Sequence, residues 1–77
     1  MPNLPEWWPQ VAAATRSRRH FTGMLLSRAT PDWDGHTLRL AFPGDGAAVW
    51  ERSGSGRVLD AALQQHDIHA AVKAANQ

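Results

Sequence analysis

The sequence predicts an α+β fold: a small three-stranded sheet with helices on one face, in the order α-β-β-α-α-β. Three observations carry that expectation. Leu38, Leu40 and Phe42 alternate with Thr37, Arg39 and Ala41, the period of a strand with one buried face. Val58, Leu59, Ala62 and Leu63 fall on one apolar helical face. Ahead of both runs a long segment in which Trp7, Val11, Ala14, Phe21 and Leu25 recur at helical spacing.

Within the 77 residues, 1–6 are expected to form an extended lead-in, 7–73 a single α+β domain and 74–77 a tail. Pro2, Pro5 and Pro9 hold the lead-in extended, and Pro9 suits the first turn of a helix. From there the chain reads as helical to Ala29, except that Arg18 lands in the middle of the apolar stripe. An unpaired charge at the centre of a buried face is costly. Either Arg18 snorkels out past Trp7 and Val11, or the chain forms two short helices or kinks near Arg18–His20; the break is favoured, because Phe21, Met24, Leu25 and Ala29 then make an apolar stripe of their own facing the core.

Asp34-Gly35 is a type I′ hairpin signal. The arm before it, Thr30 to Trp33, contains Pro31 and is expected only as an edge strand. "PGDG" ends the next strand, Asp45 is placed to N-cap a short helix bearing Ala47, Ala48, Val49 and Trp50, and Ser55 to cap another. His66-Asp67 closes that helix, and Ile68, Ala70 and Val72 alternate as a last short strand. Trp7, Trp8 and Trp50 are read as core, with Trp33 left at the surface.

Composition narrows the functional classes. The formal charge of +1 gives no global field toward nucleic acid or membrane. Seven of the eight basic residues are arginines, a bias that suits bidentate recognition of carboxylate or phosphate and that a GC-rich genome also produces. There is no cysteine, so neither a disulfide nor a thiolate metal site is available. No apolar run reaches the ~18 residues of a membrane span, and the N-terminus lacks the basic start and apolar core of a signal peptide. A cytoplasmic protein is the expectation.

No catalytic constellation is discernible. Asp34, Asp45 and Asp67 read as turn and cap residues, and His66 and His69 offer two metal ligands where three or four are needed. No metal and no cofactor is expected. "PGDG" and "GSGR" lack the spacing and the lysine of a phosphate-binding P-loop. "GSGR" approaches the G-x-x-G clamp of KH domains, but its second glycine comes one residue early. The sharpest polar feature is "RSRR". Arg16, Arg18 and Arg19, together with Trp33 and Arg57, are the candidate partner-binding residues, for either an acidic protein surface or DNA phosphates.

Taken in order, "WWPQVAAATRSRRHFTGMLLSRA", "DGHTLRLAF", "AAVWERSGSGRVLDAAL" and "DIHAAV" resemble the C-terminal region of the gamma/tau subunit of bacterial DNA polymerase III in its actinobacterial form. The likeness runs from Trp7 to Val72. It implies a piece of a longer clamp-loader subunit whose ATPase part lies elsewhere, since no Walker motif occurs here. It also implies a non-catalytic domain that tethers the replicative polymerase catalytic subunit, or the replicative helicase, during DNA replication. A KH-like arrangement is known for a distant tau domain, and a KH-like single-stranded nucleic-acid-binding module is the alternative. One departure bears on contacts: Gly56-Arg57 stands where the family often carries acidic residues after Ser-Gly-Ser.

Overall fold

In the computed structural model, which describes residues 4–77, the chain forms α1 (Trp8–Arg18), α2 (His20–Arg28), β1 (Thr30–Trp33), β2 (Thr37–Phe42), α3 (Gly46–Arg52), α4 (Ser55–Gln65) and β3 (Ala71–Asn76). The order is the expected α-β-β-α-α-β, with the first helical segment divided in two. Met1 to Asn3 of the expected lead-in lie outside the described residues, and Glu6–Trp7 form a turn into α1.

The division falls at Arg19, which is extended (φ −158°, ψ 113°) between two helical runs. Pro9 sits in the first turn of α1. Val11 and Thr15, one turn apart, face inward, and the Thr15 hydroxyl donates to the Val11 carbonyl at 2.8 Å. α2 folds back closely on α1. A Cβ placed on Gly23 would stand 2.8 Å from Cβ and 2.9 Å from Cα of Arg16. Only glycine fits that contact without displacement.

The break also resets the register of α2. Its inward residues are Thr22, Gly23 and Leu26, while Phe21 and Met24 are each 44% exposed and Leu25 is half-buried. The expectation that Phe21 and Met24 feed the core is therefore corrected. Hydrophobicity pointed to one face, but close approach to α1 through Gly23 and a hydroxyl contact through Thr22 select another.

The sheet order is β1-β2-β3, with β1 antiparallel and β3 parallel to β2. Leu38, Leu40 and Phe42 are buried against the helices with Val11, Leu26, Trp50, Leu59, Ala62 and Leu63. Alternation and register put Pro31, Trp33, Val72 and Ala74 on the same face. The other face carries a row of charges in register, Asp32, Arg39 and Lys73, and is open.

The hairpin differs from expectation by one residue. Gly35 has positive φ (97°), but neither Asp34 nor His36 does, and Asp34 N–H donates to the Thr37 carbonyl at 3.4 Å. Gly35-His36 is thus the two-residue loop, with glycine first as in a type II′ turn. Asp34 sits at its base, its Oδ1 accepting N–H groups from His36 (2.9 Å) and Thr37 (2.7 Å). The Thr37 bond most, and the His36 bond after it, hold its pKa below the usual carboxylate value; desolvation opposes them, and the Arg39 guanidinium, 3.3 Å away, adds to the lowering.

Two capping expectations are revised. Asp45 makes no side-chain cap; Ala47 N–H instead donates to Asn76 Oδ1 at 3.2 Å, from the end of β3. Ser55 does not cap α4 but begins it, behind Gly54 in the left-handed conformation (φ 73°). At the far end of α4, Asp67 is left-handed (φ 56°), with Asp67 N–H bonded to the Gln64 carbonyl and Ile68 N–H to that of Leu63. This is a Schellman closure with aspartate in the place glycine usually takes.

The last strand also shifts. Ile68 and Ala70 precede β3, which continues through the residues expected as tail to Asn76, paired with Phe42. Gln77 N–H donates to the Phe42 carbonyl at 2.8 Å.

Candidate binding groove

The five candidate residues are spread over the molecule. Arg16 lines an apolar groove of about 640 Å³ with Trp8, Ala12 and Leu26. Arg18 is exposed and donates to Gln65 Oε1 at 2.9 Å, which carries its charge off the buried stripe. Arg19 donates to the Ser53 carbonyl and lies over the Phe21 ring, 5.6 Å from its centroid. Trp33 is half-buried rather than at the surface, edge-on to Trp7 at 5.2 Å, a contact made possible by the register of β1. Arg57 stands alone of the five in a second groove, between the α3–α4 turn and β3.

That second groove lies where a helical turn meets the edge of the sheet. It has a volume of about 510 Å³ and is lined by Trp50 and Glu51 from the end of α3, by Gly54, by Gly56, Arg57 and Asp60 from α4, and by Ala70 to Val72 and Ala74. Its helical wall is fixed by a chain of hydroxyls. Ser53 Oγ donates to the Trp50 carbonyl at 3.1 Å; Ser53 Oγ and Ser55 Oγ are 2.6 Å apart, and Ser55 Oγ and Thr22 Oγ1 are 3.0 Å apart. A hydroxyl has one proton to give. With Ser53's committed to Trp50, Ser55 donates to Ser53 and Thr22 donates to Ser55, so the whole run is ordered in one direction. Thr22 and Ser55 are fully buried. Together with the Arg19 bond, the run ties α2 to the turn that forms the rim.

Gly54 serves two helices at once. Its N–H returns to the Glu51 carbonyl and its carbonyl accepts from Arg57 N–H, so one left-handed residue ends α3 and starts α4. Gly56 has a different role: a Cβ there would stand 3.6 Å from Trp50 Nε1. Trp50 is 2% exposed, and its indole N–H donates to none of the described residues. No sealed side-chain nitrogen or oxygen among them lacks a partner, so this N–H is reached by solvent in the groove beside Gly56.

The lining thus holds two carboxylates, one guanidinium, an indole donor and small aliphatic side chains. Arg57 was visible in the sequence as a candidate; Glu51 and Asp60 were not singled out. Their signal lay in spacing: Arg57 and Asp60 are three apart on α4, and the glycine turn folds Glu51 back toward them. Among the described residues no three His, Asp or Glu side chains gather as a metal site. His69 lies 3.7 Å from Asp67 Oδ1, with both side chains almost wholly exposed. No helix is long and apolar enough to cross a membrane.

The architecture is an open-faced α+β domain, one sheet face covered by four helices and a groove where a helical turn meets an edge strand. Comparison with protein-family models, with curated proteins and with solved structures returns no match.

Proposed function

We propose that this chain is a non-catalytic interaction domain of a DNA polymerase III clamp-loader gamma/tau subunit, which tethers the replicative polymerase or the replicative helicase in the bacterial cytoplasm. The ordered sequence resemblance from Trp7 to Val72 is what supports the family in this reading. The observation that carries the choice of a protein partner is the charge of the groove, where Glu51 and Asp60 outnumber Arg57. Carboxylates at that density repel a phosphate backbone and suit a polypeptide. The dispersal of Arg16, Arg18 and Arg19 over separate contacts points the same way, since phosphate tracking needs a continuous basic path.

Co-sedimentation of the domain with purified polymerase catalytic subunit, and separately with helicase, tests this reading. A complex with either is the expected result. Free sedimentation in both mixtures refutes it.

A second reading rests on one observation, the placement of Gly54, Gly56 and Arg57 at the groove. A KH-like module would bring a single strand there, and its affinity would fall steeply with salt. No binding to oligonucleotides at low salt removes that reading.

A further inference from the structure

The groove has a side that its cavity volume does not describe: the free edge of β3. In the sheet order β1-β2-β3, one margin of β3 has no neighbouring strand among the described residues. Ala71 N–H donates to the His36 carbonyl and Gln77 N–H to the Phe42 carbonyl, so the odd-numbered residues direct their backbone groups at β2. Backbone direction alternates along a strand. Val72 and Ala74 therefore present N–H and C=O outward, along the margin that borders Trp50, Glu51, Arg57 and Asp60.

We infer that this edge accepts an extended polypeptide segment as a fourth strand, with alternate side chains entering the groove and a lysine or arginine among them facing Glu51 and Asp60. The inference rests on the protein-binding reading above and names the form its partner takes. Each part of the lining has a use in that arrangement. The outward N–H and C=O of Val72 and Ala74 supply main-chain hydrogen bonds, and the groove receives every second side chain, as in other strand-addition sites. The open indole N–H of Trp50 is a further donor for a carbonyl or a polar side chain. The small side chains of Ala70, Ala71 and Ala74 leave room for the added strand.

Charge decides between occupants. A second copy of this chain, pairing β3 with β3, would bring another Glu51 and Asp60 toward the first pair, a like-charge juxtaposition that a basic peptide avoids. The edge itself carries few of the devices that block strand addition: six residues with one lysine, Lys73, whose side chain lies on the open face, and no proline.

The test uses a phage-displayed library of linear 12-residue peptides, panned against the whole 77-residue domain. The best peptide is then titrated into isotopically labelled domain while amide hydrogen exchange is followed. The expected result is enrichment of peptides with at least one lysine or arginine, and slowing of exchange at Val72 and Ala74. Two variants separate edge from groove. Ala74→Pro deletes an outward N–H without removing a β2–β3 ladder bond, a position where an edge strand tolerates proline. It should weaken the peptide about tenfold, the effect of one lost hydrogen bond. Asp60→Lys, on exposed α4 surface, should weaken it by a similar factor through charge alone.

Enrichment of no peptide, protection elsewhere such as around Phe21 and Met24, equal affinity of Ala74→Pro with a wild-type melting curve, or self-association through β3 would each overturn the inference. The library contains no replisome protein. Failure to bind polymerase and helicase would therefore refute the tether while leaving peptide addition standing, and failure of the library would do the reverse.

Discussion

Two helical glycines should respond to alanine with opposite sign. In a helix interior, glycine to alanine ordinarily stabilises by about 0.5–1 kcal/mol, because alanine has less backbone freedom to lose. Gly56, in the first turn of α4, should take the lower part of that gain: its φ is not positive, and the nearest atom to a new Cβ is Trp50 Nε1 at 3.6 Å, an ordinary contact. Gly23 should not. Its Cβ would stand 2.8 Å from Arg16 Cβ, 2.9 Å from Arg16 Cα and 3.0 Å from Arg16 Cγ. A backbone atom cannot rotate away, so α1 and α2 must separate, and overpacking of this kind costs about 1–3 kcal/mol. Set against the propensity gain, Gly23→Ala should lose about 1–2 kcal/mol net. In a domain this small that is a fall in Tm of roughly 5–15 °C, against a rise of a few degrees for Gly56→Ala. Thermal and urea unfolding followed by far-ultraviolet circular dichroism reads both. A Gly23→Ala protein as stable as Gly56→Ala would refute the close packing of α1 on α2, and with it the reset register of α2.

Three further outcomes follow from the same geometry. Ser55→Ala should cost about 1–3 kcal/mol, because it strands the buried Thr22 hydroxyl, whereas Thr22→Val removes only the first donor of the chain and should cost about 1 kcal/mol; equal costs by urea unfolding would contradict the direction assigned to the hydroxyls. Asp67→Gly should stabilise the domain by up to about 1 kcal/mol by relieving a left-handed aspartate at the end of α4, and a loss of stability would argue against that closure. Asp34, with its folded pKa lowered, adds stability that is present above the ordinary carboxylate pKa and is lost as pH falls through its own lower value. Asp34→Asn keeps an oxygen to accept from His36 and Thr37 but no longer titrates, so it should flatten the acid limb of stability below about pH 4; an unchanged acid limb would show that other groups set it.

How far the sequence reveals this molecule depends on whether local pattern or distant contact decides each element. β2 was legible because three large apolar residues alternate over six positions and all three are buried. The break before His20 was legible because Arg18 could not stay in a buried stripe. The inward face of α2 was not, since Thr22 is chosen by Ser55, 33 residues away, and Gly23 by Arg16 on the preceding helix. The hairpin slipped by one residue because the Asp34 carboxylate accepts two backbone N–H groups, which makes it the base of the loop. The end of β3 reads as Ala-Ala-Asn-Gln, with little strand propensity, and is held by register with β2 and by the Asn76 bond to α3. Of the groove, the glycines and Arg57 stood out in the sequence. Glu51 and Asp60 did not, because nothing local shows that a turn at Gly54 will put them on one rim.

The central claim is that this domain engages protein through the α3–α4 groove. An amide chemical-shift titration of labelled domain, with polymerase catalytic subunit or helicase in one arm and single-stranded DNA in the other, tests it most directly. The account predicts shifts from a protein arm, centred on Glu51, Gly54 to Arg57, Asp60 and Ala71 to Ala74, with the DNA arm silent. Shifts at those residues with DNA alone, or silence in both arms, would contradict it.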